Sequence, residues 1–221
     1  MTDVPPPGRL RALVTDLGGV LTTPLLDAFA AVERHLGIPL AALGRALAAA
    51  AGRHGSNPLF ELELGHITEA EFLRRLEVAL AGDLGRPVAL EGFTDRWWAA
   101  MDAEPATQAL VAAARDAGYR TALLTNNVRE WEPRWRALLP VDELFDVVVD
   151  SAFVGLRKPD PAIYRLTCER LGVAPDACVF VDDVDVNVQA ARELGMTAVH
   201  YRGPQAGVRD VLAALRDGHP S

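Results

Sequence analysis

Leu13-Val14-Thr15-Asp16-Leu17-Gly18-Gly19-Val20-Leu21 is an apolar run stopped by one carboxylate and followed almost at once by two glycines. The run reads as a buried β-strand. A carboxylate at the end of such a strand can act as a nucleophile or hold a metal ion. Glycines beside it let the backbone turn sharply and approach a ligand closely. The plainer alternative is that Asp16 caps a turn before the glycine pair. Position 18, two residues past the carboxylate, is Gly and not a second acid.

Outward from this stretch, the apolar character of the first strand spans Leu10–Thr15. Four similar runs follow at Thr121–Leu124, Asp146–Val149, Cys178–Val181 and Thr197–Tyr201. They are apolar on both faces, as strands of a parallel sheet should be. Between them, Pro105–Ala117, Val128–Leu138, Pro161–Leu171 and Val186–Leu194 carry apolar residues at helical spacing, and Gly118, Gly172 and Gly195 stand where helices end. Repeated β-α-β units predict an α/β fold with a doubly wound, Rossmann-like parallel sheet.

Residues 24–92 break the pattern. They hold no convincing strand, and helices are predicted over 25–36, 39–51 and 69–81, the last opened by a capping box at Thr68-Glu69-Ala70-Glu71. The expected organisation is a core of 1–23 and 93–221 with an all-helical insert of 24–92, hinged near Pro24 and Phe93.

Composition narrows the function. With 221 residues, half of them hydrophobic and 24% charged, the chain can bury a full core. A net charge of -8 argues against a nucleic-acid surface, which needs clustered Lys and Arg, though it leaves room for a locally basic pocket that takes a small anion. No apolar run is long enough to span a bilayer, because the Ala-rich segment 40–52 is interrupted by Gly44 and Arg45. The polar, proline-rich Met1–Gly8 has no apolar stretch of the secretory kind, and a cytoplasmic location is expected. Cys168 and Cys178 do not form a metal-type pair and are read as reduced packing residues.

In an open parallel sheet, ligands bind at the carboxyl ends of the strands. Those ends carry Asp16, Thr125-Asn126, Ser151 and Asp182-Asp183, and the loop Gly155-Leu156-Arg157-Lys158-Pro159-Asp160 can bring a cation to the same edge. Acids at that density repel one another unless a cation sits among them, and Mg²⁺ suits a carboxylate-and-carbonyl site that also takes phosphate. Each motif also has a plainer reading. Thr125-Asn126-Asn127 can cap the helix from 128, Lys158 can be a solvated loop residue, and Asp182 and Asp183 can cap the helix from 186. Asp185 reads as that helix cap, Asn187 as second-layer support or helix surface, and Ser151 as loop structure.

Four motifs in order, Asp16-Leu-Gly-Gly-Val-Leu21, Leu124-Thr125-Asn126-Asn127, Arg157-Lys158-Pro159 and Val181-Asp182-Asp183 with Asn187 following, resemble the haloacid-dehalogenase-like hydrolase superfamily over the whole chain. The insert after the first motif is similar to that superfamily's type-1 cap. Bacterial sugar-phosphate phosphatases and the N-terminal phosphatase domain of soluble epoxide hydrolases are similar in cap length. The resemblance implies a Mg²⁺-dependent phosphatase acting on a small phosphorylated metabolite, a sugar phosphate being one candidate. Asp16 would attack phosphorus, Thr125 and Asn126 would bind the phosphoryl group, and Lys158 would bind it and neutralise charge. Asp16, Asp183, Asp182 and the carbonyl of Gly18 would hold the metal. The departure from the family pattern is Gly18, where most such phosphatases carry the acid that protonates the leaving oxygen; general acid–base help of that kind is worth about 10²–10⁴ in rate. Two alternatives stay open: a metal-free 2-haloacid dehalogenase using the same Asp16, and a binding or regulatory module with reduced chemistry.

In the insert, Arg53, His54, Phe60 and His66 are candidate substrate contacts. Trp97 and Trp98 read as core or hinge packing, and Trp131 and Trp135, four apart, as one helix face laid on the sheet.

Overall fold

The computed structural model describes residues 4–217; Met1–Asp3 of the polar leading segment lie outside the described residues. Five parallel strands form one sheet: β1 (Ala12–Thr15), β2 (Arg120–Thr125), β3 (Val147–Asp150), β4 (Cys178–Asp182) and β5 (Thr197–His200), in the spatial order β3-β2-β1-β4-β5. The chain leaves the centre toward β3 and then crosses back to β4. The order therefore reverses beside β1, where a doubly wound sheet leaves its ligand crevice.

Side chains alternate between two apolar layers. Leu13, Leu123, Val179 and Val181 face one layer and Ala12, Val14, Ala122, Leu124 and Phe180 the other. Both faces are covered, so the strands read as continuous apolar runs.

The insert holds α1 (Leu25–Leu36), α2 (Leu40–His54), α3 (Pro58–Glu63) and α4 (Glu69–Leu84), followed by α5 (Phe93–Ala99). The core adds α6 (Pro105–Asp116), α7 (Glu132–Leu138), α8 (Val141–Leu144), α9 (Ser151–Val154), α10 (Pro161–Leu171), α11 (Asp185–Glu193) and α12 (Pro204–Asp217). Helix α3 begins at Asn57-Pro58, where the Asn57 side chain accepts from the Leu59 N–H and proline takes the first turn. Helix α12 was not expected, although Val208, Val211, Leu212 and Leu215 recur at helical spacing.

Helix α5 starts where the core was expected to resume, yet it packs on α1, with Phe29 and Trp97 edge to face at 4.7 Å and Phe93 and Trp97 in the apolar cluster of the insert. The two connections run side by side just beyond it. Thr23 N–H donates to Asp102 C=O at 2.9 Å, Glu104 N–H to Leu21 C=O at 2.8 Å, and Thr22 bridges Ala103. Among the described residues no single helix is long and apolar enough to cross a membrane. Helices α1 and α2 pass that test only as a pair bent by 97°, and their apolar faces are buried in the insert.

Three local expectations need correction. Residues 129–131 form a 3₁₀ turn, and the α-helix begins only at Glu132-Pro133, because proline fits the first turn of a helix and not its interior. Trp131 and Trp135 therefore do not share a face. Trp135 is fully buried against the sheet, whereas Trp131 meets Trp98 edge to face, lies tilted beside Trp97 and donates its Nε1–H to Glu69 of the insert at 2.8 Å. Asp185 does not cap α11: Val184 precedes the helix without a side-chain cap, and the Val184 N–H is taken by Asp182. The capping box at Thr68 holds in one direction, Thr68 Oγ1 accepting from the Glu71 N–H, while the Glu71 carboxylate goes to Arg74 and Arg75.

Candidate active site

Asp16 leaves the end of β1 between two longer neighbours. Its N–H donates to Val181 C=O at 2.8 Å, which seats it beside Asp182, the last residue of β4; Thr125 ends β2 on the other side. Lys158 arrives from the loop after α9. Its ammonium lies 2.8 Å from Asp16 Oδ1 and 2.6 Å from Asp182 Oδ2, and donates to Leu124 C=O at 2.9 Å. Lys158 is 1% exposed, Asp182 0% and Asp16 8%, so these charges are compensated by one another and not by bulk water.

Asp182 is saturated. Beyond Lys158 it accepts from the Val184 N–H at 2.8 Å, and Asn187 Nδ2 lies 3.1 and 3.2 Å from its two oxygens. Asn187 is itself fixed through its carbonyl by the buried Tyr164 hydroxyl at 3.0 Å. Asp183 differs. Its Oδ1 is buried and has no hydrogen-bond partner. Its Oδ2 sits so close to the β1 loop that a Cβ on Gly19 would lie 2.3 Å away, and Gly19 has φ +73°, so glycine is required there on both counts.

Ligand atoms of Asp16, Asp182 and Asp183 all lie within 4.8 Å of one another. Three carboxylates thus face one ammonium. Burial, opposed by Lys158 and reinforced by Asp182 and Asp183, pushes Asp16 up to about 7. Burial and then Asp182 push Asp183 up to about 6. Burial pulls the Lys158 ammonium down, but Asp16 and Asp182 outweigh it and hold Lys158 above its ordinary value. An acidic cluster short of positive charge, with one carboxylate oxygen buried and unpartnered, fits a divalent cation.

Gly18 has an ordinary negative φ. A Cβ built on it would meet the Leu25 side chain at 3.0 Å, so an apolar residue of α1 stands over the place where an acid was missed. The two amides after Thr125 divide their work. Asn127 lies buried, its Nδ2 3.4 Å from Thr125 Oγ1 and its N–H bonded to Ser151 Oγ at 3.0 Å, so Ser151 is buried support. Its Oδ1 accepts from the Val128 N–H, one residue on, and no side chain of this motif caps the following helix. Asn126 spends its amide on the backbone of Lys158, at 2.8 and 2.9 Å.

Over the edge lies a seam between the insert and the core. Glu63 Oε2 pairs with Arg157 Nε at 2.7 Å, and the Arg157 guanidinium lies 3.9 Å over the ring of Phe60. Burial raises the Glu63 carboxyl, against Arg157, which lowers it. Gly65, at φ +70°, comes so near α9 that a Cβ would lie 2.3 Å from Ala152 O, the carbonyl that also accepts from Arg129. Of the four insert residues picked out as substrate contacts, Phe60 alone is brought against a site motif. Arg53 and His54 end α2 on the exposed surface, and His66 pairs with Glu61. Glu63 was not anticipated, because nothing in its local sequence marks a partner so far along the chain.

The model of the haloacid dehalogenase-like hydrolase family matches residues 10–195. The chain is 29% identical to pig bifunctional epoxide hydrolase 2 over 91% of its length and 38% of the relative's. It is 34% identical to a phosphatase of Mycobacterium tuberculosis, over 72% of this chain and 67% of that one. A match to mouse acyl-CoA dehydrogenase family member 10, 29% identical over 93% of this chain, spans 19% of that protein, so the chain covers well under half of these longer relatives. Among solved structures, a Bacteroides thetaiotaomicron enzyme of the same family, in complex with magnesium and inorganic phosphate, superposes with a TM-score of 0.66 at 21% identity, covering 87% of this chain and 94% of that one. An L-2-haloacid dehalogenase from Xanthobacter autotrophicus superposes with a TM-score of 0.61 at 21% identity, covering 93% and 83%.

Proposed function

The chain belongs to the haloacid dehalogenase-like hydrolase family, and we propose that it is a Mg²⁺-dependent phosphatase hydrolysing a small phosphorylated metabolite through an aspartyl-phosphate at Asp16. The observation that carries this reading is the charge count at the strand edge. Three carboxylates share one ammonium, and Asp183 keeps a buried oxygen without a partner. Relatives that are phosphatases support it.

In this reading Asp16 Oδ2 attacks phosphorus while Oδ1 stays on Lys158. The new P–O bond forms as the bond to the leaving oxygen breaks, and water then releases phosphate from Asp16. Thr125 donates its hydroxyl to the phosphoryl oxygens, and Lys158 neutralises charge between them and Asp16. Asp16, Asp183 and the Gly18 carbonyl would hold Mg²⁺. When bound, it would offset the repulsion between a carboxylate nucleophile and a phosphate dianion. We assign Asp182 to Lys158 instead, since both its oxygens are already held. With Gly18 beneath Leu25, position 18 supplies no proton. This directs the reading to leaving groups that need little protonation, sugar 1-phosphates and acyl phosphates among them. The same feature suits dehalogenation, whereas the buried, unpartnered Oδ1 of Asp183 favours a site that holds a metal.

The test is phosphate release from a panel of 1-phosphates, 6-phosphates and acetyl phosphate, with and without EDTA, for wild type and Asp16→Asn. Turnover with Mg²⁺ that EDTA and Asp16→Asn abolish is expected. Halide release from 2-chloropropionate under EDTA would replace this reading with the dehalogenase.

A further inference from the structure

Asn126 was expected among the groups that bind substrate, but its side chain is turned to another task. Its Oδ1 accepts from the Lys158 backbone N–H at 2.8 Å, and its Nδ2 donates to the Lys158 carbonyl at 2.9 Å. Both bonds go to one residue, thirty-two positions away. A carboxamide presents an acceptor and a donor side by side, so one Asn can hold both polar groups of a single backbone residue as a neighbouring strand would. At the far end of the Lys158 side chain, the ammonium must land within hydrogen-bond distance of Asp16, Asp182 and the Leu124 carbonyl together. Lysine is a long, rotamer-rich chain, and ordering it costs side-chain entropy. A backbone free to shift would move the ammonium off one of its three partners.

We propose that Asn126 is a positioning residue: its side chain fixes the Lys158 backbone so that the ammonium is delivered between Asp16 and Asp182, and it makes no phosphoryl contact of its own. The division with Asn127 is consistent, since one amide reaches the Lys158 backbone and the other lies beside the Thr125 hydroxyl. The effect on turnover rests on the phosphatase reading above, whereas the clamp itself does not.

Two experiments test it, and they fail separately. The first is a double-mutant cycle on kcat/KM for p-nitrophenyl phosphate with Mg²⁺, using Asn126→Ala and Lys158→Ala. Asn126→Ala is expected to lower kcat by about 10–100-fold, the cost of a misplaced catalytic group, with KM changed less. In the Lys158→Ala background it is expected to have no further effect. The same fold loss in both backgrounds would mean that Asn126 touches substrate directly and would overturn the proposal. The second is hydrogen exchange at the Lys158 amide, which needs no activity and so stands if the phosphatase reading falls. Asn126→Ala is expected to speed that exchange by at least about 100-fold through local opening. Asn126→Asp, which keeps the acceptor and loses the donor, should keep the amide protected while still lowering kcat. Unchanged exchange in Asn126→Ala would overturn the clamp; if that variant does not fold, an unprotected Lys158 amide in Asn126→Asp would do so.

Discussion

At the carboxyl edge of the sheet, Lys158, Asp16 and Asp182 are buried; Lys158 and Asp182 are each held by three groups, and Asp16 is held by Lys158. In the helical insert the buried cluster is built from Ala, Val, Leu, Ile, Phe, Trp and Met, and charged pairs such as Arg45–Asp83 and Glu71–Arg74 stay at the surface. The insert also makes polar contacts where it meets neighbouring segments, at Glu63–Arg157 and at Glu69, which takes the Trp131 Nε1–H and the Thr94 hydroxyl. The difference is instructive because burying charge costs several kcal/mol per ion unless partners return it. A fold that tolerates this at one edge and avoids it elsewhere marks that edge as the place where charge is used. The insert meets that edge through Leu25 beside Gly18 and the Glu63–Arg157 pair.

Removing the proposed nucleophile is expected to have the largest effect. Asp16→Asn is expected to lower phosphate release on the order of 10⁴-fold or more, as loss of a nucleophile does elsewhere, with the melting temperature unchanged or higher because one of three crowded carboxylates is gone. Kinetics and thermal melts on one preparation check both halves. Lys158→Met comes next. It strands Asp16 and Asp182 without their ammonium, and breaking a buried pair this way costs about 3–5 kcal/mol, read by urea unfolding. The matched substitution in the insert, Arg45→Met at an exposed pair, should leave the same curve where it was.

Asp150 sharpens the rule from a third position. It ends β3 at the same sheet edge, caps α9 through Ala152 N–H at 3.0 Å, and leaves Oδ2 buried without a partner. Burial pushes it up to about 6. A folded value above the unfolded one means that the native state binds the extra proton, so stability falls as pH rises from about 4 through 6. Asp150→Asn keeps a good cap and removes the charge. It is expected to be more stable than wild type by up to about 3 kcal/mol at pH 7–8, a gain that vanishes below pH 4, as unfolding curves across that range would reveal.

The smallest effect belongs to the seam. Glu63→Gln should raise amide exchange several-fold in 58–66 and 152–157, as a local opening does, while exchange in β1 and β4 stays as it was.

Much of the edge was legible in the sequence because a sheet covered on both faces turns each strand into an apolar run, and the first polar residue after the run marks the edge. Asp16, Thr125 and Asp182-Asp183 were found in that way. The loop 155–160 was read as a source of a cation for the same edge, but the role of Lys158 needed the family pattern, since a loop lysine looks the same as any other. The contacts that assign each residue its task were hidden. Glu63 meets Arg157 across ninety-four residues and Asn126 meets Lys158 across thirty-two, and no periodicity encodes either pairing. Helices as short as α3 and α9 carry too few turns for a 3.6-residue signal. The Trp131–Trp135 spacing misled because Pro133 places the first of them in a 3₁₀ turn.

In the proposed mechanism Asp16 takes the phosphoryl group. Rapid acid quench after mixing with ³²P-labelled acetyl phosphate and Mg²⁺, followed by peptide mapping, tests it directly. A hydroxylamine-labile label on the peptide carrying Asp16, absent in Asp16→Asn, is expected. Label on another residue, or phosphate release that persists in Asp16→Asn, would contradict it.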